Sequence, residues 1–530
     1  MQLLDEVVLN RAKEIASARG VARAALIDGD RTLDWKHLDD ASRRAAIPLQ
    51  RAGVCRGDRV AVIAPNALES VVAYLAVLRV GAVIVPIPAD TRMPRLRAIL
   101  ADCDPQAVIA PRTTLVALRA SLAEESDGLD ARWVEFALDD NFARPIGVPL
   151  EFGQAIPTST VTAREVGCID ADLAAIIYTS GTTGEPKGVM LTHANLLNTT
   201  AGVAEYLGEA PASSFDVVSL AIPLTYSYGF LQLWTALRSG ATVVLERSFA
   251  FPFDAMRRME QHRVSMLIAV PTMISRILAT LPHVALELSQ LRAMTCAAAS
   301  LSPAQAVRCT ELLPHVALHL MYGQTECSRA ATLDPRLVSA HPDSVGTAIP
   351  NCELFLMDAQ GRRLPPGSEG ELIVRGANVA RGYWRRPEET ALKFIASPLP
   401  DASPSERVLR TGDRFRMHRN GLLTFIGRED EIFKCRGEKV APMAVERVLA
   451  SLAGVVDAAV TGVPHEEDGM AIHAVVVLEA DATVDERAIR GRCREFLEPA
   501  LQPRFIEFRR EIPRTANGKL IRRALIGAGA

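Results

Sequence analysis

The 530-residue chain lacks the features that mark several large classes of protein. It contains no run of about 18 uncharged apolar residues, so no membrane-spanning helix is expected. Its first residues lack a basic segment followed by a long apolar one, so we expect no secretory signal and predict a cytoplasmic location. None of the nine cysteines forms a C-x-x-C pair, which predicts free thiols rather than a zinc site or a disulfide framework. The net charge of −3 argues against a general nucleic-acid binder.

Length and patterning predict an α/β protein with more than one domain. A chain of 530 residues is longer than one hydrophobic core normally covers. Patterns of buried strands alternate with helical patterns, as in residues 58–65 and 69–80, which indicates layered α/β subdomains with much parallel sheet. Beyond Asp334, turns rich in proline and glycine separate short strands and predict a β-rich subdomain. We predict an N-terminal domain over residues 1–428 and a small α+β domain over residues 429–530.

Residues 178–188 predict a phosphate-binding loop. They read Tyr-Thr-Ser-Gly-Thr-Thr-Gly-Glu-Pro-Lys-Gly, a run that leaves no room for a helix or a long strand. Glycines let backbone amides approach a ligand, while hydroxyls and a lysine bind phosphate oxygens. The spacing differs from the Walker pattern, so a nucleoside triphosphate is expected to be held in another way. The alternative is a polar turn between a strand and a helix.

Several later segments combine a turn with residues that bind nucleotides or metals. A carboxylate that follows a strand can bind a hard cation, and an aspartate can accept two hydrogen bonds from a cis-diol. Each segment alone also fits a polar turn, a surface hairpin or a solvated charge. The segments are Met321-Tyr322-Gly323-Gln324-Thr325-Glu326, Arg410-Thr411-Gly412-Asp413, Gly427-Arg428-Glu429-Asp430, Phe433-Lys434-Cys435-Arg436-Gly437-Glu438-Lys439-Val440 and Pro513-Arg514-Thr515-Ala516-Asn517-Gly518-Lys519.

In this order, the motifs resemble those of the AMP-forming adenylation superfamily. That superfamily includes acyl- and aryl-CoA ligases, adenylation domains of peptide synthetases and luciferases. The resemblance extends from about residue 33 to residue 523 and is closest in kind to stand-alone acyl-CoA ligases. It implies that the C-terminal domain is a mobile lid. It also implies ATP, Mg²⁺ and either coenzyme A or the phosphopantetheine arm of a carrier protein as reactants and cofactors.

The resemblance implies a role for each matched residue. Lys519 is expected to stabilise the adenylation transition state, Thr325 to contact the α-phosphate and Glu326 to bind Mg²⁺. Asp413 is expected to accept the ribose hydroxyls, and Asp430 to be the hinge of the lid. Further nucleotide contacts are expected from Thr179, Ser180, Gly181, Thr182, Thr183, Gly184, Lys187, Tyr322, Gly323 and Arg428, and thiol-arm contacts from Lys434 and Gly437.

The resemblance also places the acid pocket. Its expected lining is Tyr226, Ser227, Tyr228, Val270 and Ala298. Amino-acid-activating relatives carry an aspartate where this chain has Ser227, and a buried ammonium without a counter-charge is costly. We therefore expect an acid without an α-amino group, a fatty or aryl acid. Tyr226 is expected either to gate the pocket or to pack on the sheet. The family often has glycines around Ala298, so the size of the acid stays open.

Two acceptors for the activated acid stay open at this point, coenzyme A and a carrier protein. Eleven residues follow Lys519, so a carrier is expected to be a separate protein. Arginines at positions 504, 509, 510, 514, 522 and 523 form a basic patch that could dock an acidic carrier, bind the phosphate of coenzyme A or be solvated. Another hypothesis is a catalytically silent nucleotide-binding protein. Oxidation of the luciferase type has no distinct motif in this sequence.

Overall fold

The computed structural model describes residues 2–17, 23–124, 133–138, 165, 167–180, 186–207, 217–435, 438–465, 469–479, 482–515 and 520–526. A large N-terminal domain of sheets and helices precedes a small C-terminal domain, which confirms the predicted fold class. The exact boundary between residues 428 and 429 stays a prediction.

The helices begin where the sequence supplies helix-starting residues. Five of the described helices begin with proline, a position where the missing N–H of proline costs nothing. Others begin after a side-chain cap, such as Asp34 or Thr192. The helices are α1 (Leu4–Ser17), α2 (Trp35–Arg51), α3 (Leu68–Arg79), α4 (Met93–Cys103), α5 (Arg112–Glu124), α6 (His193–Tyr206), α7 (Ser227–Ser239), α8 (Pro252–Gln261), α9 (Pro271–Thr280), α10 (Pro303–Leu312), α11 (Pro387–Lys393), α12 (Pro442–Ala450) and α13 (Glu486–Phe496). Short 3₁₀ turns occupy Leu281–His283, Pro335–Leu337, Pro499–Leu501 and Arg522–Ala524.

The strands form two large sheets, one small sheet and one hairpin. They are β1 (Ala24–Asp28), β2 (Arg31–Asp34), β3 (Arg59–Ala64), β4 (Val83–Pro88), β5 (Ala107–Ala110), β6 (Val134–Ala137), β7 (Leu173–Ser180), β8 (Pro186–Thr192), β9 (Val217–Leu220), β10 (Thr242–Leu245), β11 (Met266–Ala269), β12 (Ala293–Cys296), β13 (Ala317–Tyr322), β14 (Ala331–Thr332), β15 (Ser344–Ala348), β16 (Cys352–Met357), β17 (Arg363–Leu364), β18 (Glu369–Gly376), β19 (Phe394–Ala396), β20 (Arg407–Met417), β21 (Leu423–Arg428), β22 (Phe433–Cys435), β23 (Glu438–Val440), β24 (Val455–His465), β25 (Gly469–Leu478) and β26 (Phe505–Phe508).

The largest sheet joins a parallel half to an antiparallel half. Strands β10, β9, β11, β12 and β13 run parallel in that order, and three of them are buried along their full length. Continuous apolar strands of this kind are typical of parallel sheets covered on both faces. From β13 the sheet continues through β14, β15, β21, β20, β18, β16 and β17 with antiparallel pairing. The antiparallel half is the predicted β-rich subdomain.

The second large sheet has the order β6-β5-β3-β4-β7-β8, parallel except for the pairing of β7 with β8. Helix α3 is buried over almost its entire length. Its Tyr74 belongs to the same hydrophobic core as Trp234 of α7. A helix that is apolar on all sides belongs in the interior. The core of the N-terminal domain therefore lies between the two sheets.

The C-terminal domain has its own core. Strands β24 and β25 pair antiparallel, β26 adds in parallel, and α12 and α13 pack against them. Val445, Val460, Ile472 and Ile489 are fully buried in this cluster. A separate core is what a lobe that moves as a unit requires.

Most of the predicted elements are confirmed, with two corrections. The run 178–188 was expected to lie outside long strands, yet residues 178–180 end the eight-residue β7 and residues 186–188 begin β8. The two strands pair in register, Thr179 opposite Lys187, so the run connects two antiparallel strands rather than a strand and a helix. Asp413, expected to precede the β-rich segment, lies inside β20 because pairing with β18 and β21 extends that strand over eleven residues.

Two expectations from composition also have a structural counterpart. Among the described helices, none combines the length and apolarity needed to cross a membrane. All nine cysteines fall in the described part of the chain, and all are free thiols.

Candidate active site

The parallel half of the large sheet gathers the predicted site residues at one edge. Tyr226 to Tyr228 follow β9, Val270 follows β11, Ala298 follows β12, and Tyr322 to Glu326 end β13 and continue past it. Because these four strands are parallel neighbours, their carboxyl ends meet at the same edge. Ligands in open α/β sheets bind outside this edge. The fold therefore provides a reason for residues about 100 positions apart to form one site.

Asp413 is the centre of a buried hydrogen-bond cluster. Its Oδ2 accepts hydrogen bonds from Tyr322 Oη at 2.7 Å and Gln324 Nε2 at 2.6 Å. The Tyr322 ring packs edge-on against Phe415, with 4.9 Å between centroids. Asp413 Oδ1 is buried and accepts no hydrogen bond from the described residues. Burial raises the pKa of Asp413, although nearby Arg428 opposes that change. One oxygen of a fixed carboxylate is thus left for an external donor.

Arg428 joins Asp413 to the predicted hinge. Residues 413 and 428 face each other across β20 and β21, and Arg428 Nη1 lies 3.6 Å from Asp413 Oδ1. Arg428 Nε also donates to Asp430 Oδ1 at 2.9 Å. Burial raises the pKa of Asp430, but its ion pair with Arg428 outweighs this and leaves that pKa below its ordinary value. The ribose and hinge positions of the sequence prediction therefore share one arginine.

A second cluster links Glu326 to Lys187. Glu326 Oε1 accepts a hydrogen bond from Tyr383 Oη at 2.7 Å. The ammonium of Lys187 lies 5.9 Å from the centroid of the Tyr383 ring and forms an ion pair with Glu389. Burial and the neighbouring Glu326 carboxylate raise the pKa of Tyr383, so its hydroxyl remains a donor. Tyr383 thus contacts both the predicted metal ligand, Glu326, through its hydroxyl and the predicted phosphate lysine, Lys187, through its ring.

Backbone pairing positions that tyrosine. Residues 381–384 run alongside β8: the Met190 amide donates to the Gly382 carbonyl at 2.9 Å, and the Trp384 amide donates to the Gly188 carbonyl at 2.7 Å. On the other side, the Ala380 amide donates to the Glu326 carbonyl at 2.8 Å. The segment is therefore fixed to both sheets, and Tyr383 lies where they meet.

The predicted acid pocket is contiguous with Thr325. Ser227 Oγ and Thr325 Oγ1 are 3.0 Å apart and share a hydrogen bond. The next residue, Tyr228, is buried, and its hydroxyl bonds Thr295 Oγ1 at 2.8 Å. The guanidinium of Arg329 lies 4.7 Å from the centroid of the Tyr228 ring. The residues around the predicted acid pocket thus include hydroxyls, one aromatic ring and one buried cation.

The remaining pocket residues occupy helix starts and one unusual turn. Tyr226 and Val270 precede the first residues of α7 and α9; Tyr226 is half-buried and Val270 is buried. Burial raises the pKa of Tyr226, and Asp90 adds to this effect. Ala298 has φ +71°, in the region that favours glycine, and its side chain is exposed. Ala298 therefore adopts a left-handed conformation in which a glycine would be less strained.

Several predicted residues are not brought into these clusters. Thr179 Oγ1 donates to the Lys187 carbonyl at 3.5 Å, and Lys434 is exposed on the β22–β23 hairpin. Of Ser180 only the backbone is described. Gly181, Thr182, Thr183, Gly184, Gly437 and Lys519 lie outside the described residues. The roles of all these residues stay predictions.

Three of the C-terminal arginines are paired with carboxylates of the same domain. Arg509 binds Glu507 through Nε at 2.6 Å, and Arg514 binds Asp457 at 2.8 Å. Arg522 binds Glu446 at 2.5 Å and Glu431 at 3.0 Å. Internal carboxylates neutralise these three cations, so the expected docking patch is much weaker than the sequence suggested.

Four residues of the site were missed by the sequence prediction. Gln324 lies inside the motif 321–326, so its place between Tyr322 and Thr325 was a usable signal. Tyr383 and Glu389 contact residues more than 50 positions away, and no local spacing indicates such partners. Arg329 follows Glu326 by three residues, but its burial depends on the turn between β13 and β14.

Comparison with protein families gives two matches that together span most of the chain. Residues 13–384 match the family described as AMP-binding enzyme, and residues 444–519 match the AMP-binding enzyme C-terminal domain. The two matches contain every predicted site residue except those in the segment 385–443 between them.

Curated relatives fall into two kinds. The chain is 28% identical to tyrocidine synthase 2 of Brevibacillus parabrevis over 98% of its own length and 14% of that protein. It is 32% identical to the isonitrile lipopeptide synthase of Mycobacterium tuberculosis over 94% of its length and 18% of that protein. It is 28% identical to a long-chain-fatty-acid–CoA ligase of Yersinia pestis, and here the match covers 97% of this chain and 92% of the relative. The chain therefore spans less than a fifth of the first two relatives.

Solved structures share the fold along the whole chain. ATP-bound MatB from Rhodopseudomonas palustris superposes with a TM-score of 0.83 at 25% identity, covering 99% of this chain and 98% of that one. The amide bond synthetase McbA from Marinactinospora thermotolerans gives a TM-score of 0.82 at 25% identity, covering 98% and 99%. Both superpositions extend over nearly the full length of each chain.

Proposed function

The chain belongs to the family of AMP-binding enzymes, and we propose that it activates a carboxylic acid with ATP and then transfers the acyl group to a thiol, that of coenzyme A. The observation that carries the proposal is the meeting of the Asp413 and Glu326 clusters at the carboxyl edge of the parallel sheet. One cluster suits a ribose and the other suits polyphosphate with its counter-ion. The space between them is where an α-phosphate would lie.

Recognition of the nucleotide is assigned to Asp413. Its Oδ2 is already bonded to Tyr322 and Gln324, which fixes the carboxylate in place. Its Oδ1 is available to accept hydrogen bonds from ribose hydroxyls, and a buried acceptor of this kind gains most when it is bonded. Lys187 is assigned to the leaving pyrophosphate, together with the residues between β7 and β8.

Removing the Tyr322 hydroxyl tests the ribose assignment. We expect Tyr322→Phe to weaken ATP binding about 10-fold, because a hydrogen bond to a charged carboxylate contributes about 1.5 kcal/mol or more. The phenyl ring can keep its contact with Phe415. Calorimetric titration with ATP measures the change. Tyr206→Phe removes a hydroxyl bonded to a carbonyl elsewhere and serves as the matched control. Equal affinity in both variants contradicts the assignment.

The first half-reaction forms a mixed anhydride. An oxygen of the substrate carboxylate attacks the α-phosphorus, and the bond from that phosphorus to the oxygen shared with the β-phosphate breaks. The acyl-adenylate forms and pyrophosphate leaves with the bond electrons. Thr325, which is hydrogen-bonded to Ser227, is assigned to contact the α-phosphate. Lys519 is assigned to the negative charge that grows during attack.

The residues present fit a magnesium ion. Mg²⁺ is commonly held by one or two carboxylates and the substrate phosphates, with water completing the shell. Glu326 supplies one carboxylate; Tyr383 bonds Oε1, and no described residue bonds Oε2. The described residues contain no group of three or more metal-ligating side chains, so a site made of protein ligands alone is not proposed. When bound, the ion would neutralise phosphate charge.

The pocket supports an acid without an α-amino group. Ser227, where an amino-acid-activating enzyme needs a carboxylate, is bonded to Thr325 instead. The charged group that contacts Tyr228 is Arg329, a cation, while the carboxylate of Asp90 acts on Tyr226. A substrate ammonium beside Ser227 would lack the carboxylate that amino-acid-activating enzymes supply at that position, which is costly in a buried site.

The second half-reaction is assigned to a rotation about Asp430. Arg428 belongs to strand β21 of the large sheet, whereas Glu431 is bound to Arg522 of the C-terminal domain. Asp430 lies between these two anchored positions, so a rotation there moves the lobe as a unit. Lys519 is proposed to leave and the segment containing Lys434 and Gly437 to enter. The thiol sulfur then attacks the acyl carbon, and AMP leaves.

The acceptor is tested by product analysis. We expect ATP, Mg²⁺, a substrate acid and coenzyme A to yield acyl-CoA and AMP in equal amounts, measured by mass spectrometry. A holo-carrier protein replaces coenzyme A in the parallel reaction. The pairing of Arg509, Arg514 and Arg522 with carboxylates weakens the C-terminal basic patch for either acceptor, so the products decide between them. Acyl transfer to the carrier alone would overturn this part of the proposal.

A further inference from the structure

Arg329 is an arginine that the fold buries and leaves without an acceptor. It is 2% exposed, and its Nε and Nη2 atoms form no hydrogen bond. In the described part of the chain it also has no ion pair. An arginine keeps its charge under all ordinary conditions, and a buried charge is normally paired and hydrogen-bonded. Burial lowers the pKa of Arg329, and Tyr228, Cys327 and Cys296, not a carboxylate, are the neighbours that oppose this.

The turn that carries Arg329 is built to hold it in place. Gly323 packs so closely that a Cβ atom there would lie 2.3 Å from the Ser328 carbonyl oxygen and 3.0 Å from Arg329 Cα. Ser328 has φ +53°, a left-handed conformation. Asn378 Nδ2 donates to the carbonyls of Cys327 at 3.2 Å and Arg329 at 2.8 Å. Close packing and side-chain hydrogen bonds to the backbone therefore fix the position of Arg329.

The surroundings place the guanidinium at the acid pocket. It lies over the ring of Tyr228, at 4.7 Å from the centroid, and the hydroxyl of that tyrosine bonds Thr295. Tyr228 follows Ser227, which bonds Thr325 of the adenylation motif. An aromatic face attracts a cation but accepts no hydrogen bond from the N–H groups in the plane of the guanidinium. The Nε and Nη2 donors are therefore left without an acceptor among the described residues.

The unbonded edge is the one that arginines of this protein use for carboxylates. Nε and Nη2 lie on the same side of the guanidinium and form a two-pronged donor. Arg258 uses these atoms to bind Glu246 at 2.8 and 2.6 Å. Arg410 uses them to bind Glu371 at 2.9 and 2.6 Å. Arg329 presents the same edge in a buried setting.

We propose that Arg329 binds a second anionic group on the acid substrate, so that the enzyme prefers dicarboxylic acids to the matching monocarboxylic acids. This inference rests on the proposed function, since it places the reacting carboxylate near Thr325 and the second one at Arg329. The guanidinium would bind the second carboxylate through both in-plane donors. A monocarboxylic acid would leave the buried charge unpaired, and sites built for a hydrogen bond reject analogues without it strongly.

Acid-dependent ATP–pyrophosphate exchange with matched acids tests the proposal. The pairs are glutarate with pentanoate, adipate with hexanoate, and terephthalate with 4-methylbenzoate. We expect the best dicarboxylic acid to exceed its partner at least about 100-fold in kcat/KM, mostly through KM. Arg329→Met should reduce that ratio by about 100-fold, and Arg329→Lys should reduce it less, because a lysine keeps the charge but loses the fork. Arg308→Met, an exposed position on α10, should leave the ratio unchanged.

The outcomes separate this inference from the proposed function. Exchange with monocarboxylic acids that equals or exceeds that with dicarboxylic acids overturns the role of Arg329 and leaves acid activation standing. A drop by the same factor for every acid in Arg329→Met also overturns it and indicates a structural role or a contact with the reacting carboxylate. Unchanged ATP affinity shows that the variants are folded. If a variant does not fold, the comparison of dicarboxylic with monocarboxylic acids in the wild-type enzyme decides alone. Exchange with no acid overturns both.

Discussion

Lys519→Ala is expected to lower acid-dependent ATP–pyrophosphate exchange by at least about 100-fold. Removing a single group that stabilises developing charge costs about 10²- to 10³-fold in rate. Three described cations near the Asp413 and Glu326 clusters are already engaged: Lys187 with Glu389, Arg428 with Asp430, and Lys393 with the Thr411 carbonyl. None of them is a free point charge for the α-phosphate. The proposed mechanism therefore depends on a cation from the C-terminal segment.

The same variant should keep the second half-reaction. Chemically synthesised acyl-adenylate and coenzyme A are supplied directly, and acyl-CoA is measured. We expect near-normal formation, because Lys519 is proposed to leave the site before the thiol attacks. Lys36→Ala, an exposed lysine at the start of α2, is the charge-matched control for both assays. Loss of both half-reactions would contradict the two-conformation mechanism.

Glu326→Gln is expected to reduce kcat/KM at least about 100-fold and to raise the Mg²⁺ concentration required. The amide oxygen can still accept the hydrogen bond from Tyr383, so the substitution removes charge with little change of shape. A neutral ligand binds a hard cation less well, and the lost charge compensation is worth several kcal/mol in phosphoryl chemistry. The Mg²⁺ dependence of ATP binding gives a readout independent of turnover.

Glu205→Gln, an exposed position on α6, is the matched control. The assignment of Glu326 predicts that excess Mg²⁺ restores part of the lost ATP affinity. An unchanged Mg²⁺ dependence together with reduced activity would instead make Glu326 a positioning residue for Tyr383.

The sequence predicts the fold well where the pattern is local. The strand predicted within residues 58–65 is confirmed to within one residue at each end, because buried parallel strands have a distinct composition. Asp413 was harder to place, since its strand extends only through pairing with neighbours far along the chain. The local composition of a strand does not indicate which distant strands pair with it.

The same distinction between local patterns and distant partners applies to the residues of the site. The motif around Tyr322 and Glu326 was readable because its residues are consecutive. Tyr383, which joins Glu326 to Lys187, became visible only once β8 paired with the segment 381–384. Arg329 is the clearest case: surface arginines are common, and only the closed turn over Gly323 makes this one buried.

The most direct test of acid activation is acid-dependent ATP–pyrophosphate exchange over fatty, aryl, dicarboxylic and amino acids. The account predicts exchange that requires both Mg²⁺ and an acid without an α-amino group. Measurable ATP binding with no exchange for any acid would contradict it, and would identify the chain as a binding protein that keeps the fold without the reaction.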